Sequence, residues 1–190
     1  MSDSECNVVE HPRYGIHPRP SGCDEAVALE RKDWGEYFAS HVFPETAILA
    51  DPTKQNYTVF PREYYVDKKK TCRGCGRKFI FFAEEKKHWF EELRFSIDAK
   101  CVDCPECRKS NQERRTRLTR FSSLVSKPDI DDASLADLVA DASYMWEQGL
   151  LKKEDKLRRI RNLANARIPD HANTKLMNAL FPEENGRSSA

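Results

Sequence analysis

Five cysteines in two clusters, Cys72-Arg-Gly-Cys75 and Cys101-Val-Asp-Cys104-Pro-Glu-Cys107, have the type and spacing that most plainly carry chemistry. Two Cys-x2-Cys pairs separated by an intervening segment present four thiolates to one tetrahedral zinc ion. The second cluster contains two overlapping pairs, and four ligands need only one of them. Pro105 stiffens the later turn and favours Cys104 with Cys107, which leaves Cys101 as a small buried thiol. Cys101 with Cys104 stays open as the alternative.

Four thiolates around Zn2+ leave a formal charge of two minus, and the neighbouring residues are suited to balance it. Gly74 and Gly76 permit the positive φ angles of tight turns, so backbone N–H groups can point at sulfur. Arg73, Arg77, Lys78, Arg108 and Lys109 add positive potential. An all-cysteine site is closed and structural, whereas catalytic zinc keeps an open position with mixed ligands. A redox dithiol needs Cys-x-x-Cys at a helix start within an α/β unit, and neither cluster has that context. His88 falls on a helix surface beside Glu84 or Glu92 rather than at the metal. Cys6, His11, His17 and Cys23 are of metal-binding types, but their spacing matches no ligand pattern, and His11-Pro-Arg-Tyr-Gly reads as a turn. No nucleophile with a base, carboxylate pair or phosphate-cradling glycine loop appears, so the expectation is a protein that is not an enzyme.

The elements that must position the cysteines are legible from pattern. Tyr64-Tyr65-Val66 reads as a strand and Lys78 to Phe82 as a buried one, joined through the first cysteine pair as a β-hairpin. Glu84 to Phe95 switches to helical period, with Trp89, Phe90 and Leu93 inward and Glu84, Lys87 and Glu91 outward. That helix accounts for a spacer longer than the ~15 to 20 residues of a minimal tetracysteine pattern. Upstream, residues 1–61 carry six prolines and no sustained period, which predicts an extended arm, partly docked, with a short helix from Lys32 to His41. The aromatics Tyr57, Phe60, Tyr64 and Tyr65 predict that the arm docks on the hairpin.

Downstream, residues 113–128 form a basic linker or helix, and residues 129–182 a module of three amphipathic helices. The first of these opens at Ser134 with Asp137 in a capping box and closes at Gly149, and the others end at Pro169 and Pro182. Residues 183–190 read as a disordered tail. The predicted fold class is therefore α+β: a small zinc-ribbon domain over residues 62–112 between an arm and a helical module.

Across 190 residues a third are charged, and the formal net charge of +1 argues against a globally basic nucleic-acid binder. No apolar run reaches the ~18 residues of a membrane span, and no secretory signal is visible, so the expected compartment is the cytoplasm with its cysteines reduced.

The run Tyr64-Tyr65-Val66-Asp67, Cys72-x2-Cys75-Gly76, Phe79-Ile80-Phe81-Phe82-Ala83-Glu84, Lys87-His88-Trp89-Phe90-Glu91-Glu92-Leu93 and Cys104-x2-Cys107-Arg108-Lys109 resembles a family of probable zinc-ribbon domains found mainly in bacterial proteins. The family usually has Gln at or beside Lys86, a departure expected on the helix surface. The resemblance implies one zinc ion on Cys72, Cys75, Cys104 and Cys107, and it implies no particular activity.

Two functional expectations follow. One is a nucleic-acid or ribonucleoprotein partner, met by Arg108, Lys109, Arg114, Arg115, Arg117 and Arg120 with Phe79, Phe81 or Trp89 as stacking faces. The other is a protein-interaction adaptor using the acidic Asp129 to Glu147 or basic Lys152 to Arg167 helix. Neither a membrane nor a small-molecule substrate is expected.

Overall fold

A computed structural model describes residues 8–23 and 41–182. Cys6, nearly all of the expected helix from Lys32 to His41, and the tail from residue 183 lie outside them. The chain divides into two units, residues 1–110 and 111–190. No helix among the described residues is long and apolar enough to cross a membrane.

The first unit is built on a four-stranded sheet in the order β1-β4-β3-β2. The strands are β1 (Val8–Val9), β2 (Val42–Leu49), β3 (Tyr64–Thr71) and β4 (Lys78–Phe81). β3 and β4 form the expected antiparallel hairpin, pairing Thr71 with Lys78 and Lys68 with Phe81 across the first cysteine pair. β4 reads as an unbroken apolar run because Phe79, Ile80 and Phe81 are all buried, and β1 covers its free edge in parallel register.

β1 and β2 put two parts of the stretch read as an extended arm into the sheet. Pro44 interrupts the alternation of β2 that would have marked a strand. An edge strand tolerates proline, and the register shifts between Phe43 and Ile48, where β2 passes its irregular stretch. Pro52–Lys54 adds a short 3-10 turn capped by Asp51, whose carboxylate accepts from Thr53 N–H. The His11 turn closes on itself by paired backbone bonds between His11 and Gly15, with Gly15 at φ +84°.

After β4, α1 (Ala83–Lys87) runs into a π-helical turn, His88–Glu92. The wider turn rotates the chain relative to a regular helix. Leu93, expected inward, is exposed, and Glu91, expected outward, is buried and accepts a 2.7 Å hydrogen bond from Asp51 N–H. Lys86 is also buried: its Nζ donates to Val66 O at 2.7 Å and lies 5.3 Å from the Phe81 ring, so the family departure sits in the interior. Trp89 packs against two clusters, one with Val9, Phe79, Phe81 and the cysteines, the other with Tyr65, Ala83, Phe90 and Ile97.

One buried carboxylate ties these elements together. Asp67 on β3 accepts from Ala83 N–H at 2.6 Å, capping α1 from a distance, and from Arg19 N–H at 2.9 Å. Burial raises its pKa above the ordinary carboxylate value, although both N–H groups work against the rise.

The second unit holds most of α2 (Pro105–Val125), then α3 (Asp132–Glu147), α4 (Glu154–Arg167) and α5 (Ala172–Leu180). Its core joins Leu135, Leu138, Val139 and Ala142 of α3 to Leu157 and Ile160 of α4 and Met177 of α5. Phe121 and Leu124 of α2 belong to the same core, so the stretch read as linker or helix is a packed helix, and the division between units falls after Ser110. The cap of α3 lies three residues before the expected one at Ser134. Asp131 is the N-cap, with its two oxygens accepting from Ser134 N–H and Oγ, each at 2.8 Å. Gly149, at φ +66°, follows the helix end as expected.

Candidate metal centre

Two local structures present the cysteines. The first is the tight turn from Cys72 to Arg77, closed by Cys72 N–H to Arg77 O and Gly76 N–H to Cys72 O, both at 2.9 Å. Gly76 takes φ +73°, the left-handed conformation that favours glycine. Gly74 is needed for space instead: a Cβ there would meet Cys107 Sγ at 3.2 Å. The second is the start of α2, where Cys104 precedes the helix and Cys107 lies in its first turn. Arg73 N–H to Val102 O, at 2.9 Å, joins the two segments.

The Sγ atoms of Cys72, Cys75, Cys104 and Cys107 all lie within 4.8 Å of one another. A tetrahedral site with Zn–S bonds of ~2.3 Å has sulfur–sulfur edges of about 3.8 Å. Cys75 and Cys104 are 3.8 Å apart. The donor set and its convergence fit one zinc ion. Such an ion supplies a structural cross-link rather than chemistry on a substrate.

The first pair is shifted toward the thiolate form. Burial raises the Cys72 thiol, but N–H groups of Cys104, Cys75 and Gly74 outweigh it and leave the pKa lowered; the Cys104 N–H is 3.2 Å from Cys72 Sγ. The Cys75 thiol is lowered to about 6, first by Arg77 N–H and then by the Arg77 side chain. Arg77 is itself held by an ion pair with Glu106 in the first turn of α2. Cys104 and Cys107 are raised, with burial the leading cause in both.

Cys101 stands outside this group. It is buried, its thiol is raised to about 11 by burial, and its Sγ lies 3.6 Å from Asp103 O and 3.4 Å from Arg108 Nη1. His88 pairs with Glu92 at 2.6 Å. His11 anchors its own turn: Nδ1 accepts from Arg13 and Tyr14 N–H, the ring stacks on Tyr14, and Nε2 lies 3.5 Å from the buried Glu85. His11, His17 and Cys23 join no metal-binding group among the described residues.

Three of the six basic residues expected to meet nucleic acid are committed within the protein. Arg108 pairs with Glu85 at 2.5 Å and lies over Trp89 at 5.0 Å. Arg120 makes two 2.7 Å bonds to the fully buried Asp141, and Arg117 reaches Asp141, Glu113 and the Tyr144 ring. Lys109, Arg114 and Arg115 are exposed. The expected stacking faces are also taken. Phe79 and Phe81 are core, and Trp89 is enclosed by Phe81, Phe95 and Arg108.

Exposed rings lie elsewhere, on a loop that sequence reasoning assigned to docking. Gln55 and Arg62 close its neck by reciprocal bonds, Gln55 Nε2 to Arg62 O at 2.7 Å and Arg62 N–H to Gln55 Oε1 at 2.8 Å. At its tip Phe60 is 75% exposed and Tyr57 43%. Asn56 pairs in parallel with Ser96, which ties the loop to the segment carrying Phe95, 44% exposed. The sequence signal was an aromatic pair within a polar, proline-bounded segment.

No curated protein and no solved structure matches the chain. Residues 66–116 match a family model described as a probable treble clef domain. That span covers the hairpin turn, the Trp89 segment and the start of α2. The four converging sulfurs, the second pair at a helix start and this match agree: residues 66–116 are similar to a treble clef domain, and their donor set suits one zinc ion.

Proposed function

We propose that this is a non-enzymatic protein that binds single-stranded nucleic acid through its zinc-bearing unit. The observation that carries the reading is the pinned loop with Tyr57 and Phe60 exposed at its tip, tied through Asn56 and Ser96 to a segment that carries the exposed Arg94 and Phe95. Unstacked bases offer a π-face to such rings whatever their identity, and cations beside them meet the phosphates. The zinc then serves the fold, because four thiolates leave it no open position for a substrate.

The test is fluorescence anisotropy with single-stranded RNA, single-stranded DNA and duplexes over a range of salt. Single strands are expected to bind better than duplexes, with affinity falling steeply as salt rises. Phe60→Ala and Tyr57→Ala are each expected to weaken binding by about five- to a hundredfold with zinc content unchanged. Absent binding, salt-independent binding, or an unaffected double variant would sink the reading.

One observation favours the adaptor alternative. In the helical unit a cleft of about 520 Å3 has Leu124, Ile130, Leu138, Ile160 and Leu163 in its wall, and Lys127, Lys153, Lys156 and Arg159 outnumber Asp155 around it. That chemistry suits an acidic amphipathic segment. Binding of an acidic amphipathic peptide that Leu163→Glu abolishes, with no nucleic-acid affinity anywhere, would transfer the assignment to it.

A further inference from the structure

We infer that the zinc-bearing unit contains a site for a phosphate monoester, in a cavity of about 150 Å3 lined by Arg62, Lys68, Lys70, Lys86 and Lys100 with Asp98 as the only acid. The five cations arrive from separate places: the loop neck, β3, α1 and the segment before Cys101. Gathering that many like charges around one partly open cavity is unfavourable unless something negative is received there.

Part of the cluster has structural work. Lys86 donates to Val66 O, and Arg62 donates from Nη2 to Ile97 O at 2.6 Å while its guanidinium lies 5.6 Å from the Phe90 ring. These contacts hold the two cations in place and account for them without a ligand. They do not account for Lys70 and Lys100, whose ammonium groups have no ion pair or hydrogen bond among the described residues. Phe81 and Phe90, both buried, also line the cavity and lower the local dielectric, which strengthens attraction to an anion.

Donors converging from several directions suit the tetrahedral oxygens of phosphate better than a planar carboxylate. A monoester is nearly dianionic at neutral pH, its second pKa being ~6, and so matches the surplus positive charge better than a diester. Two sources carry this group: the phosphorylated end of a nucleic-acid strand, and a free phosphate or mononucleotide. The site is distinct from the exposed rings of the loop tip, and the inference stands whether or not those rings bind bases.

The experiment uses the full-length zinc-loaded protein. Oligonucleotides of one sequence with 5′-phosphate, 3′-phosphate or hydroxyl ends are titrated by anisotropy, and inorganic phosphate and a mononucleotide by calorimetry. The comparison variants are Lys70→Ala with Lys100→Ala, and Lys100→Glu alone, each checked for zinc content. A phosphorylated end is expected to bind about tenfold more tightly than a hydroxyl end, with the advantage lost in both variants. Inorganic phosphate binding that the variants abolish, without any end preference, also supports the site and assigns it to free phosphate esters. Equal affinity for all ends together with no phosphate heat, or a preference that survives both variants, overturns it. Persistent binding of hydroxyl-ended strands in the variants would then leave the loop reading intact.

Discussion

Gly74 and Gly76 lie two residues apart in the first cysteine turn and are glycine for different reasons. Gly76 occupies the left-handed region, and Gly76→Ala is expected to cost about 1 kcal/mol of stability by backbone strain alone. At Gly74 a Cβ would crowd Cys107 Sγ at 3.2 Å, so the sulfur would have to give by a few tenths of an ångström. Gly74→Ala should therefore weaken zinc binding in chelator competition by about tenfold or more, since displaced ligands and their supports cost that much elsewhere. Serine substitution at Cys72, Cys75, Cys104 or Cys107 is expected to lose the metal, whereas Cys101→Ser retains one zinc by metal analysis. Asp67 is the residue to test for architecture. Asp67→Ala orphans the buried Ala83 N–H, at a cost of about 1 to 3 kcal/mol readable in denaturant unfolding, and also releases the Arg19 N–H.

At the scale of elements, the basic face of α2 divides by what each arginine touches. Arg120 serves Asp141, fully buried on α3 and also reached by Arg117, so Arg120→Ala should destabilise the helical unit by about 1 to 3 kcal/mol and leave the salt dependence of nucleic-acid binding unchanged. Arg114→Ala and Arg115→Ala should do little to stability. The sequence carried no sign of this division, because the partners Asp137 and Asp141 belong to another helix and only packing brings them to Arg120. The β3–β4 hairpin, by contrast, was readable, since aromatic runs around a cysteine turn have few other solutions. β2 was hidden by Pro44, and the inward turn of Glu91 by a π-helical turn that no periodicity announces. The cysteine spacing predicted the convergence of sulfurs but not that the second pair would start a long helix. Lys86 looked like a surface residue because lysine usually is; here its stem is buried and its ammonium bonds Val66 O.

For the whole molecule, the two cores share no residues, and the cysteines lie only among those of the first unit. Chelation is expected to release the Trp89 environment and the sheet while helical circular dichroism from residues 132–180 largely persists, so metal removal should yield a partial transition rather than a single one. Complete cooperative loss of both signals would contradict this. α2 has a further consequence. It runs unbroken from Pro105 to Val125, with Cys107 in its first turn and Phe121 and Leu124 in the helical core, and the division between units falls inside it. A stretch rich in arginine invites trypsin when it is extended, but a protease must first unwind a helix to thread it through its cleft. Limited digestion should therefore spare residues 111–120 in the zinc-loaded protein, and among the described residues of the helical unit it should cut first in the turn before α4, at Lys152 or Lys153. Chelation should expose the arginines of α2 near Cys107 to early cleavage, making the cutting pattern itself a reporter of metal.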